Sequence, residues 1–182
     1  MELRTFLTNS LAVLFDRWQT YRRLVQASQK ERAALSRAAP GLWWLLVGLL
    51  VDDVQLSICR MLDHAQMPHD NATFEQLIKQ LNGDAQYAGL DSILGAAKTL
   101  ATGIRERRHK QLAHADLLVA TGQAPAVKTP FDDKDVDECL AKLAEILNAI
   151  RSHNGEDPID FAQFRSGKMT LDQFLPWVLA RS

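Results

Sequence analysis

"LDSILGAAKTLATGIRERRHKQLAHAD", Leu90 to Asp116, carries two messages in one run. Its first part repeats apolar residues at helical spacing: Leu90, Ile93, Leu94, Ala97, Leu100, Ala101 and Ile104. Each residue of an α-helix advances roughly 100° around the axis, so these side chains share one face. Its second part crowds Arg105, Arg107, Arg108 and Lys110 around His109 and His114, opposed up to Lys110 only by Glu106. One turn beyond Ile104 the apolar stripe arrives at Arg108, with Arg105 and Arg107 towards its two edges. A guanidinium keeps its charge, and burying it unpaired is costly. Arg108 must therefore find a carboxylate, a break in the helix, or an open cleft such as a subunit interface.

The same helical spacing recurs along the rest of the chain, and no alternating strand pattern interrupts it. A first helix is expected from about Leu3 to Val25, with Phe6, Leu7, Leu11, Leu14, Trp18, Tyr21 and Val25 as its stripe. Ala27–Ala39 is basic and alanine-rich, and reads either as helix or as surface arm. Pro40-Gly41 breaks the chain, and a helix from Leu42 to Asp63 follows. Its first half is apolar almost all round, which predicts a position at the centre of a bundle. Asn71 or Thr73 caps a short helix ending near Leu81, stopped by Asn82-Gly83. Thr129-Pro130-Phe131-Asp132 reads as cap, first-turn proline and acidic third position of a helix to about Ser152, closed by His153-Asn154-Gly155. A last short helix is expected from Thr170, paired with Gln173. The expectation is an all-α helical bundle of four or five main helices plus short ones, in a single domain over residues 1–182.

Composition narrows the function classes. The 182 residues carry a formal net charge of −1, so no global field draws the protein onto nucleic acid, and any anion site must be local. Arg105–Lys110 is such a cluster, and Arg22, Arg23, Lys30 and Arg32 form a second. Cys59 and Cys139 sit at apolar positions without a CxxC partner, so a metal ribbon or disulfide framework is not expected and a reducing compartment is the default. The N-terminus lacks the pattern of a signal peptide. The apolar run Leu42–Val51 is about half of what a membrane span needs and ends at Asp52-Asp53, so a buried core helix, no membrane contact and a cytoplasmic location are expected.

The basic–histidine stretch suits phosphate chemistry. Arg107 and His114 are seven residues apart, about two turns, and share a side if the helix continues. Arginine grips a phosphate with two hydrogen bonds, while histidine donates or accepts a proton near neutrality. Together they suit metal-independent RNA cleavage, in which a base takes the 2′-hydroxyl proton and a cation holds the developing phosphate charge. The plainer alternative is that Lys and Arg complement the dipole at a helix C-terminus on a solvated face.

"RRHKQLAHAD", Arg107–Asp116, resembles the signature of the HEPN superfamily: an arginine, a following polar residue, and a histidine after four to six intervening positions. Arg108, His109 and His114 fit it. The continuation through Asp116, together with "ICRMLD" at Ile58–Asp63, is most similar to the abortive-infection U-type branch. The resemblance implies a homodimer whose motifs line one cleft, with RNA as substrate and no cofactor. It implies a metal-independent endoribonuclease of toxin–antitoxin or phage-defence type, with an antitoxin protein as a further partner. The alternative within the same family is a non-catalytic module that binds RNA or a protein. Carried over, Arg108 holds the phosphate, His114 acts as general acid or base and His109 orients the site. Arg105, Arg107 and Lys110 then contact RNA; apart from the resemblance, Asp116 is read as an orienting partner for an imidazole. Toxins silenced by adenylylation carry a tyrosine where this chain has Asp116, so silencing at that position is excluded.

Other groupings are weaker. Asp63, His64, His69 and Asp70 match no familiar metal geometry, and His109 and His114 are five apart rather than four, so no metal site is expected. Arg60 and Asp63 are spaced for a local ion pair, and Trp43 and Trp44 are expected in the core. No Gly-rich phosphate loop or nucleophile turn is present.

Overall fold

A computed structural model describes residues 2–64, 71–81, 84–108, 132–165, 175–176 and 179–180. Among the described residues there is no strand, and the elements they form are all helical. Its helices are α1 (Leu3–Val25), α2 (Gln29–Ala38), α3 (Leu42–Leu62), α4 (Phe74–Leu81), α5 (Leu90–Leu100), α6 (Thr102–Arg107) and α7 (Asp133–His153). Two compact units divide the chain: Met1–Leu11 with Gln55–Phe161, and Ala12–Val54 with Ala162–Ser182.

The first unit is built on α7, which packs along α5, with α4 also against α5. Val136, Cys139, Leu140, Leu143, Ile146, Leu147 and Ile150 are buried, at the three- and four-residue spacing that gives a helix one apolar face. They meet the buried Leu90, Leu94 and Ala97 of α5 as neighbours in one core. Removing each large aliphatic side chain from water stabilises the fold by about 1.5–3 kcal/mol. The helix starts later than the Thr129 reading places it. Asp132 is its N-cap, accepting from the Asp135 backbone N–H while the Asp135 carboxylate accepts from that of Asp132, at 3.0 and 2.9 Å. At the other end Gly155 takes φ 70°, which lets the Glu156 N–H turn back to the Arg151 carbonyl at 2.9 Å. The Glu156 carboxylate then binds Arg4 of α1 at 2.7 Å and Arg151 at 2.8 Å.

In the second unit the undecided basic segment is helical. Ser28 Oγ accepts from the Glu31 N–H, and the Glu31 carboxylate accepts from the Ser28 N–H. Arg23 donates to the same carboxylate at 2.6 Å, and that bond, with those from Ser28, holds the Glu31 carboxyl down at about 2. Leu24, Ala27, Ala34, Leu35, Trp43 and Leu175 form a core, with Leu46, Val47 and Leu50 of α3 packed against it.

Three expectations about the apolar stripes change. Phe6 and Val25 are exposed, and Leu24 is buried instead. Trp43 lies in the core but Trp44 is 77% exposed. Leu45 and Leu49 are also exposed, so the first half of α3 is not a central bundle helix. Only one of its sides is covered by the second unit's core, and an all-apolar surface cannot dictate which side that is. By length and composition alone, Leu42–Leu62 also reaches what a membrane crossing needs; from Val54 onward it is packed, with Val54, Ile58, Cys59, Met61 and Leu62 buried.

Candidate functional site

The expected long helix is two. It changes at Ala101, with φ −80° and ψ 5°, between α5 and α6. Thr99 Oγ1 donates to the Gly95 carbonyl at 3.0 Å and Thr102 Oγ1 to that of Thr99 at 2.7 Å, local side-chain bonds that compete with regular helix geometry. Backbone bonds nevertheless continue from Ala101 to Ala97 and from Arg105 to Ala101, at 3.0 and 2.9 Å. The apolar register is therefore carried through, with Ala97, Ala101 and Ile104 fully buried. Arg108 follows one turn after Ile104, at the end of α6.

Arg108 solves its burial problem with a carboxylate. Its Nη1 donates to both oxygens of Asp63, at 3.0 and 2.8 Å, and the two side chains are 31% and 30% exposed. The bond from Asp63 raises the arginine pKa beyond its ordinary value, against the opposing pull of partial burial. Cys59, one turn before Asp63 on α3, lies against the same guanidinium. Burial pushes the Cys59 thiol up to about 11, although the charges of Arg108 and Arg105 pull the other way. Cys139, on α7, is likewise pushed up to about 12 by burial, and both cysteines are free thiols.

Three polar groups of α3 and its exit form a column. Gln55, Cys59 and Asp63 follow at intervals of four, which places them along one side of the helix and its exit. Gln55 is fully buried, and among the described residues its amide nitrogen and oxygen have no hydrogen-bond partner. Asp63 thus binds Arg108 rather than the nearby Arg60, which is exposed. The helical spacing of the column was the available signal for Asp63, hidden because an aspartate three residues from an arginine suggests a local pair first.

His64, immediately after Asp63, turns to a different acid. Its Nδ1 lies 3.0 Å from Glu75 Oε2. Glu75 also accepts from Lys79 at 2.8 Å and from Lys98 at 2.7 Å, and these bonds hold its carboxyl at about 2. Asp63 and His64 are therefore used separately. Among the described residues no acidic, histidine and cysteine side chains gather as a metal site, and His69 and Asp70 lie outside them. Of the motif itself, Arg105, Arg107 and Arg108 are described and partly exposed; His109, Lys110, His114 and Asp116 lie outside the described residues.

The family model HEPN_AbiU2, described as AbiU2, matches residues 2–166. The chain belongs to the AbiU2 family of HEPN proteins. That membership makes it an abortive-infection HEPN module. The match covers the seven α-helices given for the described residues, and with them Asp63, Arg108 and the whole stretch to Asp116. No curated protein and no solved structure matches the AbiU2 chain.

Proposed function

We propose that this AbiU2 protein is a metal-independent endoribonuclease of toxin–antitoxin or phage-defence type, acting in the cytoplasm as a homodimer and restrained by an antitoxin protein. The observation that carries the reading is the Arg108–Asp63 pair. A carboxylate that takes both its bonds from one terminal nitrogen fixes the direction of the guanidinium without occupying the fork with which arginine grips a phosphate. Arg108 then holds the scissile phosphate and the charge that develops on it. His114 exchanges the proton of the attacking or leaving oxygen, with His109 and Asp116 orienting the site. Arg105, Arg107 and Lys110 supply contacts to the flanking backbone, whose affinity falls with added salt. The test is incubation of the protein with RNA in EDTA beside His114→Ala. Cleavage by the wild type alone supports the reading; cleavage that requires added metal, or that persists in the variant, defeats it.

The same pair favours one second reading. Asp63 already neutralises Arg108, as a non-catalytic module for RNA or a protein partner would allow. Loss of RNA retention in Arg108→Ala, with no cleavage by wild type, selects that version.

A further inference from the structure

The expectation of no membrane contact rested on a buried first half of α3, and that half is not buried. Trp44, Leu45 and Leu49 are each more than half exposed, on the side away from Trp43, Leu46, Val47 and Leu50, which face the second unit's core. A tryptophan and two leucines grouped in water mark a surface that meets a partner. The side is short, because it ends at Asp52 and Asp53, and Asp53 is paired with Arg17 at 2.6 Å. From Val54 onward α3 is packed into protein. Its exposed turns can therefore lie on a surface, although the whole helix is long and apolar enough to cross one.

The charge beside this side narrows the partner. α2 runs into α3 through Ala39, Pro40 and Gly41. The turn is tight: Ala39 N–H donates to the Leu35 carbonyl at 2.9 Å, and Leu42 N–H to that of Ala39 at 3.1 Å. The two helices share one core, to which α2 gives Ala34 and Leu35. Away from that core α2 exposes Lys30, Arg32 and Arg37, while its one acid, Glu31, is turned to Arg23 and Ser28. Arg37 stands in the last turn of α2 and Trp44 in the first turn of α3, so cation and indole meet at the corner between them. A bilayer with anionic headgroups matches both parts. Its hydrocarbon takes the leucines, an indole sits at headgroup level, and the headgroup charge attracts the cations. RNA matches the cations and Trp44, but its bases seek aromatic faces, and two of the three exposed apolar side chains are aliphatic. A second copy across a twofold axis sets the patch against itself, cation towards cation.

We propose that the α2–α3 corner is a peripheral docking site for an anionic lipid bilayer. Trp44, Leu45 and Leu49 enter the headgroup boundary, and Lys30, Arg32 and Arg37 face the headgroup charge. This stands apart from the RNA reading of the Arg108 site. The probes are vesicles of phosphatidylcholine, alone or mixed with phosphatidylserine, sedimented with the full-length protein. Wild type should sediment with the mixed vesicles and not with the neutral ones. Each cation at the surface contributes about fivefold, so combining Lys30→Gln, Arg32→Gln and Arg37→Gln should weaken binding by about 100-fold. Leu45→Ser with Leu49→Ser should weaken it by about tenfold or more. Brominated lipid should quench the tryptophan fluorescence of wild type, and Trp44→Phe should remove most of that quenching. All these positions are exposed, and circular dichroism checks that each variant is folded. No sedimentation with the mixed vesicles, or equal binding by either set of variants and wild type, overturns the proposal. So does a wild-type dimer that Leu45→Ser with Leu49→Ser converts to monomer, which assigns the face to a second copy. RNA retention lost in the triple cation variant, with no vesicle binding by wild type, overturns it in favour of RNA.

Discussion

The two halves of α3 contain similar means and opposite outcomes. From Leu42 to Val51 every residue but Gly48 is a large apolar one, yet Trp44, Leu45 and Leu49 face solvent. From Val54 to Asp63 polar residues interrupt the apolar ones, yet Gln55 and Cys59 are fully buried and Asp63 is largely enclosed against Arg108. Hydrophobicity gives the energy available from burial but not the side that receives it; that is decided by which neighbours arrive. In the richer half, Trp43, Leu46, Val47 and Leu50 meet a core, and among the described residues the other side meets none. In the poorer half, interruptions at four-residue intervals line up as one polar column, whose last two members, Cys59 and Asp63, meet the Arg108 cation.

This contrast is most easily broken by truncating one aliphatic residue in each half. Ile58→Ala, at a fully buried position, should cost about 2–5 kcal/mol of stability. Leu49→Ala, at 58% exposure, should change it by less than about 0.5 kcal/mol. Denaturant midpoints compare the two directly, and equal losses would mean that the first half of α3 is covered after all. Next in size is Glu75→Gln, which removes a carboxylate shared by His64, Lys79 and Lys98 and should cost about 2 kcal/mol at pH 7. The folded carboxyl lies at about 2, below its ordinary value of 4.5, so its stabilisation is present above about 4.5 and is lost as the pH falls towards 2. Wild type should therefore lose thermal stability across that interval and Glu75→Gln should lose less; parallel curves would remove Glu75 from the account.

Smaller effects sharpen the polar column. A double-mutant cycle on Asp63→Ala and Arg108→Ala should give a coupling of about 1 kcal/mol, modest because both side chains keep nearly a third of their exposure. Gln55→Met should be neutral or stabilising by up to about 1 kcal/mol, since it replaces an unpartnered buried amide with an apolar chain of similar length. A clear loss would show that the amide has a partner.

Much of the helical scheme was legible. The spacing gave α1 its limits at Leu3 and Val25, and Thr73 does cap α4, its Oγ1 accepting from the Gln76 N–H at 3.2 Å. Capping was legible but easily misread: Ser28 with Glu31 marked a helix in a segment whose basic composition suggested an arm. At α7 a proline two residues earlier drew attention away from the Asp132–Asp135 pair. Of the site, the sequence pointed to Arg108 through its place on an apolar stripe, and the need for a carboxylate followed from its permanent charge. The identity of that carboxylate did not, because Asp63 is 45 residues away and only packing brings it near. The pairing of His64 with Glu75 had the same obstacle, as a contact between the exit of one helix and the first turn of the next.

The most direct measurement is the rate at which purified wild-type protein and Arg108→Ala cut a labelled RNA in excess EDTA, with both shown to be folded by circular dichroism. If Arg108 stabilises the charge on the phosphate, wild type cuts without metal and the variant is slower by about 100-fold or more. Equal rates in the two proteins, or an intact RNA with both, would contradict the account.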